Sequence, residues 1–249
     1  MEAQVSRLVD KVWDRYLETP DDVRVLIAIA GIPGSGKTHL AHAVAKGLNK
    51  KAGLSMRDLA VDVGKEDLQD VAIAVPMDGF HLTRAQLAAM PDPENAFARR
   101  GAEFTFDGAA FARTVEYLRK PIEKNHDGPG LLLPAFDHAV KDPVPDQIVV
   151  GPRQRIVLFE GNYVCLDKAP WNRAASAPFM DERWVVEVDF AVARKRLIQR
   201  HLAAGIAANE QEAARRADEN DLVNGREIVE NKVSPVEETI FSQEDASWR

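Results

Sequence analysis

Eight consecutive residues, Gly31-Ile32-Pro33-Gly34-Ser35-Gly36-Lys37-Thr38, match the spacing G-x-x-x-x-G-K-[ST] at every position. Glycines there let the backbone curl until successive N–H groups point at phosphate oxygens, and a following helix adds a favourable dipole. Lys37 can reach the outer phosphates of a nucleoside triphosphate such as ATP, and the Thr38 hydroxyl can bind Mg2+. A plain glycine turn between strand and helix is the competing reading, and the complete motif in the right context disfavours it. Taken alone, the loop does not choose between a kinase, a GTPase and a mechanical ATPase.

Three further features suit transfer of a phosphoryl group to a small alcohol. Asp78, in Pro76-Met77-Asp78-Gly79-Phe80-His81, directly follows an apolar run. A carboxylate there can orient a hydroxyl and take its proton, although Asp-Gly is also a common turn sequence. Glu160 ends the run Ile156-Val157-Leu158-Phe159, where it can serve a metal or simply mark the solvent boundary. In Ala193–His201 the arginines Arg196 and Arg200 share one helical face. On a closing lid they could neutralise charge on a transferred phosphoryl group, and on an exposed helix they would merely face water.

These side chains must be positioned by elements that the pattern also predicts. Val25–Ala30, Val71–Val75, Ile156–Phe159 and Trp184–Phe190 read as strands buried on both faces. Helical patterns cover residues 1–18, 37–50, 83–90, 107–119 and 191–204. Strands alternating with helices predict an α/β, three-layer P-loop NTPase fold with a central parallel sheet and a small helical lid. The expected organisation is an N-terminal helix over 1–20 and a P-loop kinase domain over 21–249, with the lid at about 194–224. Lys120–Pro145 reads as loop around one short strand, Leu131–Leu133, and Ala203–Asn224 as an exposed helical segment.

The 249 residues carry a net charge of −7, which argues against nucleic acid as a partner. The longest apolar run, Val25–Ile32, falls well short of the roughly 20 residues of a membrane span. The start of the sequence lacks a secretory pattern, and its one cysteine, Cys165, cannot pair within the chain. A cytoplasmic protein without a membrane partner is expected, with Cys165 a packed residue. The sequence leaves monomer and homodimer open; Trp13 and Tyr16 on the first helix could cover the sheet edge or support a dimer. Asn49-Lys50 and Asn231-Lys232 are not followed by the residues of the guanine-reading N-K-x-D motif.

Together, GIPGSGKT, PMDGFH, PAFDH, LFEGNY and the arginine-bearing helix resemble the phosphoribulokinase–uridine kinase–pantothenate kinase family over about residues 25–205. MDGFHL, ARRGA-x-FTFD and NDLVNGR resemble a fungal and bacterial branch labelled as nucleoside-, nucleotide- or fructose-type kinases. The resemblance implies an ATP- and Mg2+-dependent kinase acting on a small-molecule acceptor. It also implies that Asp78 is the catalytic carboxylate, that Glu160 is associated with magnesium and that Arg196 and Arg200 lie near the phosphates. Phe136, Asp137 and His138 match a segment lining the acceptor pocket. Where uridine kinases carry Tyr and, five residues on, His, this chain has Phe136 and Lys141, a departure that argues against a nucleoside. His81, Arg84, Arg99, Arg100 and Lys141 would offer a cationic, polar acceptor region for a molecule with several hydroxyls or an anionic group. Asn220, Asp221 and Asn224 resemble the branch's pattern near the base-binding side, or end a helix. The competing function is a P-loop NTPase or nucleotide-binding regulator without a small acceptor.

Overall fold

A computed structural model describes residues 1–59, 70–123, 130–244 and 248. Helix α1 (Glu2–Glu18) leads to strand β1 (Val25–Gly31), the glycine loop and helix α2 (Lys37–Leu59). Strand β2 (Ala72–Pro76) runs into a 3-10 turn, Met77–Phe80, and the short helices α3 (Arg84–Ala88) and α4 (Pro93–Ala98). Helix α5 (Gly108–Leu118) precedes the hairpin β3 (Leu131–Asp137) and β4 (Asp142–Val150). Strand β5 (Ile156–Gly161), helix α6 (Trp171–Ala174), strand β6 (Glu182–Glu187) and helix α7 (Phe190–Ala203) follow. Helix α8 (Glu210–Arg216), a π turn (Ala217–Asp221), helix α9 (Leu222–Glu230) and strand β7 (Glu238–Phe241) complete the fold.

Five strands form one parallel sheet in the order β2-β5-β1-β6-β7. Every residue of β1 and β5 is buried, as their unbroken apolar sequences require in a sheet covered on both faces. One core lies between the sheet and α5, α6 and α7 and includes Phe111, Phe159, Tyr163 and Trp171. The other lies under α1 and α2 and includes Leu8, Val12, Leu40, Val44 and Trp184. Helix α1 packs so closely that a Cβ on Gly47 would sit 2.6 Å from Val9 Cγ2. Its outer face reaches the β6–β7 side of the sheet: Lys11 pairs with Glu182 and Glu238, and Arg7 with Glu238. Among the described residues, no helix is long and apolar enough to cross a membrane.

The structure departs from the sequence pattern in four places. Lys120–Pro145 holds the first strand and the turn of a hairpin whose second strand runs on to Val150; residues 124–129 lie outside the described residues. Prolines hid it: Pro134 sits at a register shift and Pro143 faces Phe136 in a two-stranded ribbon that leaves outer edges unpaired. The last predicted strand stops at Glu187, because Asp189 caps α7 through the N–H groups of Ala191 and Val192. The short strand β7 was not apparent, since only Ile240 of its four residues is buried. Finally, 203–224 is not an exposed helix. It is α8, the π turn and the start of α9, burying Ala213, Ala217, Asn220 and Asn224. Small and amide side chains fill that interface, so no apolar stripe marks it.

Candidate active site

The strand order explains why distant residues meet. Because β5 lies between β1 and β2, Glu160 is in register with Ile29 on one side and Pro76 on the other. The loop after β1, the turn after β2 and the carboxylate ending β5 therefore share one crevice at the carboxyl edge of the sheet. A pocket of about 160 Å3 there is lined by Pro33, Lys37, Thr38, Asp78, Glu160 and Arg200. It is also lined by His81, Gly101, Phe106, Asn162, Asp221 and Asn224.

The glycine loop has a backbone that its glycines make possible. Gly34 and Gly36 have φ of +82° and +89°, conformations that cost other residues energy. Ser35 is buried beneath the loop, and a Cβ on Gly31 would meet its Oγ at 2.6 Å. Ile32 is buried in the core and its carbonyl accepts from the Ser35 N–H at 3.1 Å, closing the turn. Arg196 donates to the Gly34 carbonyl at 3.0 Å and to the Ser242 hydroxyl at 2.9 Å. A second cleft, of about 460 Å3, opens from the same loop between Lys37, Thr38, Arg196, Arg200, Gln199 and Trp248. Lys37, Thr38 and Arg200 line both spaces.

Thr38 Oγ1 donates to Glu160 Oε2 at 3.1 Å. Glu160 is 5% exposed. Burial pushes its carboxyl up to about 7, against the pull of Lys37 and the Thr38 hydrogen bond. Burial also lowers the pKa of Lys37, opposed by Glu160 and Asp78. The paired hydroxyl and carboxylate are hard oxygen donors and fit Mg2+. Among the described residues no group of three or more His, Cys, Asp or Glu side chains could hold a metal by itself. Such an ion would complete its shell with phosphate oxygens and water.

Asp78 lies in the 3-10 turn that continues β2, and its carbonyl accepts from the His81 N–H and from His81 Nδ1, the latter at 2.8 Å. The turn is fixed because Gly79 touches the hairpin: a Cβ there would lie 2.1 Å from the Pro134 carbonyl oxygen. His81 meets Phe106 and Phe136 in tilted contacts, with ring centres 3.9 and 4.7 Å away. Burial is the main cause of its lowered pKa.

Other predicted residues stand outside this pocket. Phe136 is partly buried and contacts His81, His138 and Arg100. Lys141 is exposed at the hairpin turn with φ +60°. Arg100 donates to the carbonyls of Lys141 and Leu82 and to Asp142. Arg99 donates to the amide oxygens of Asn220 and Asn224 at 2.9 and 2.7 Å. Two members of the anticipated cationic acceptor region, Arg99 and Arg100, are thus committed to protein oxygens, while His81 lines the pocket. Asp221 and Asn224, expected near a base-binding side, line the pocket that holds Asp78 and Glu160. Asn162 escaped sequence reasoning; a single residue, Gly161, separates it from Glu160, and that proximity was the available signal. Cys165 is packed, with burial raising its thiol to about 12.

A parallel sheet with strand order 2-5-1-6-7, a glycine loop and carboxylates on the flanking strands define a P-loop nucleotide-binding fold. Comparison with known proteins narrows the class. The chain is 46% identical over 173 residues to an ATP-dependent kinase-like protein of Aspergillus versicolor, covering 70% of this chain and 95% of that protein. It is 38% identical over 227 residues to the Schizosaccharomyces pombe protein named "Putative uridine kinase C227.14", covering 91% and 87%. It also resembles a crystal structure described as a "putative fructose transport system kinase" from Silicibacter sp. TM1040. That likeness has a TM-score of 0.74 and 32% identity and covers 94% of this chain and 98% of that one. Saccharomyces cerevisiae YFH7 shares the fold, with TM-score 0.79 at 24% identity over 97% and 99% of the two chains. No family model matches the sequence. The chain belongs to the uridine kinase/phosphoribulokinase-type family of P-loop kinases.

Proposed function

We propose that the protein transfers the γ-phosphoryl group of ATP, with Mg2+, to a hydroxyl group of a small molecule. The observation that carries this reading is the convergence of Lys37, Thr38, Asp78, Glu160 and Arg200 on one small pocket. A nucleotide switch would need the cradle and the metal side; a carboxylate facing them across the pocket is what an acceptor hydroxyl requires. The kinase names of the relatives support the same reaction class.

In this mechanism the acceptor oxygen forms a bond to the γ-phosphorus while the bond from that phosphorus to the bridging oxygen breaks, and ADP leaves. Asp78 orients the hydroxyl and takes its proton. Among the described residues no protein group donates to the Asp78 carboxylate, which leaves its oxygens to the acceptor. Lys37 and Arg200 neutralise charge spread over the transferred group, so positioning and electrostatics supply most of the rate. Thr38 and Glu160 would hold Mg2+, directly or through water, and the bound ion would offset charge on the phosphates. Arg196 acts at one remove by fixing the Gly34 carbonyl. The segment at about 194–224 serves as the lid, carrying Arg196, Arg200 and Asp221 over the loop.

Asp78→Asn keeps the side chain's shape but removes the base. Acceptor-dependent ADP release should fall by about 10²–10⁴-fold, with ATP affinity, measured by titration, close to that of the wild type. Wild-type turnover in Asp78→Asn would remove Asp78 from the mechanism.

A further inference from the structure

Once the triphosphate and its metal have engaged Lys37, Thr38 and Glu160, the rest of the pocket is left for the acceptor. Beside Arg200, which serves the transferred group, its polar side chains are Asp78, His81, Asn162, Asp221 and Asn224. Asp221 ends the π turn, a distortion that often accompanies functional sites. His201 Nε2 lies 2.8 Å from one Asp221 oxygen, and the Arg200 guanidinium approaches the other at 4.0 Å. Because His201 is buried and its Nδ1 has no partner, its evident task is to hold that carboxylate in place. Asn224 is held in turn: its oxygen accepts from Arg99, which turns its NH2 donors away from the guanidinium.

The hydrogen-bonding sense of these groups selects a ligand. Asp78 and Asp221 accept. His81 Nδ1 is occupied by the Asp78 carbonyl, so the neutral ring presents its Nε2 lone pair. Asn162 and Asn224 add amide groups. Hydroxyl groups both donate and accept, and a row of them satisfies such a set. An anionic acceptor would instead face two carboxylates, while Arg99 and Arg100 are committed to protein oxygens. A nucleobase would need an open aromatic face. Phe106 is the aromatic ring lining the pocket; His81 lies 3.9 Å from it, and Tyr163 and Trp171 crowd it edge-on. The volume of about 160 Å3 is also below the roughly 300–1,000 Å3 typical of pockets for larger ligands.

We propose that the acceptor is a neutral polyhydroxyl compound of sugar or polyol size, gripped through hydroxyls beside the reacting one by Asp221, Asn224 and Asn162. This deepens the kinase reading of the same pocket and rests on it. Arg99 and His201 are positioning residues for that grip.

The test screens the full chain, with ATP and Mg2+, for acceptor-dependent ADP release. Three sets are compared: neutral sugars and polyols, nucleosides, and anionic compounds such as aldonic acids, sugar phosphates and pantothenate. The neutral set should stimulate release and the other two should not. With the best neutral acceptor, Asp221→Asn should raise the acceptor KM by about tenfold or more, with a much smaller change in the ATP KM. Asn162→Ala, which leaves the His201–Asp221 pair intact, should show the same split at a smaller size. Stimulation by nucleosides or anions alone would overturn this inference and leave the kinase reading standing. Equal effects on both KM values would also overturn it. ADP release that no set increases would overturn the kinase reading, and this inference with it.

Discussion

Glu160→Gln offers a test that needs no acceptor. In the metal-free protein, burial raises the Glu160 carboxyl from 4.5 to about 7, assisted by Asp78 and opposed by Lys37 and Thr38. The unfolded chain releases this proton near the ordinary glutamate value, whereas the native protein holds it until about pH 7. Stability is therefore lost as pH rises through that window and levels off above it. At about 1.4 kcal/mol per pKa step, charging this group costs the fold up to about 3 kcal/mol. Glutamine keeps the shape and an oxygen for Thr38 but cannot ionise. Losing the attraction to Lys37 acts in the opposite direction, so about 3 kcal/mol is an upper bound. The assay is denaturant unfolding of both proteins with a chelator present, at about pH 5 and about pH 8. The wild type should lose up to about 3 kcal/mol more than the variant between those conditions. Parallel pH profiles would refute the burial argument for this carboxylate.

Two further perturbations probe the scaffold. Gly36→Ala places a Cβ at φ +89° and 2.9 Å from the Trp248 ring; it should cost about 1–3 kcal/mol in urea unfolding and weaken ATP binding, and unchanged values for both would contradict the cradle geometry. Trp171→Ala removes a fully buried ring that contacts Phe106, Phe111 and Tyr163 and donates to Glu103 at 2.8 Å. A loss of about 3–5 kcal/mol is expected, and a loss below about 1 kcal/mol would show that the cluster beneath His81 is not packed as described.

The parts of the site that lie within short, ordered motifs were legible in the sequence. Gly31–Thr38 could be read because one contiguous loop supplies the whole cradle, and Asp78 and Glu160 because each ends an apolar strand. Their neighbourhood depends on strand order, which places β5 between β1 and β2 and which local patterns do not encode. The arginines were misleading for a related reason. Sequence shows that Arg99 and Arg100 are cations, but their hydrogen bonds run to Asn220, Asn224 and Asp142, 42 to 125 positions away. Asp221 was marked only by the resemblance of NDLVNGR, because its segment buries mainly small and amide side chains, Ala213, Ala217, Asn220 and Asn224, and apolar periodicity gave it no mark. The hairpin β3–β4 was obscured because proline usually argues against strands, and a two-stranded ribbon tolerates it.

The central claim is tested most directly by following the γ-phosphoryl group itself. The wild-type protein would be incubated with ATP labelled in that group, Mg2+ and the acceptor that most stimulates ADP release. The account predicts label on the acceptor in a one-to-one ratio with ADP, and loss of that product in Asp78→Asn. Label recovered only as inorganic phosphate, at a rate the acceptor does not change, would contradict it and identify a hydrolase instead.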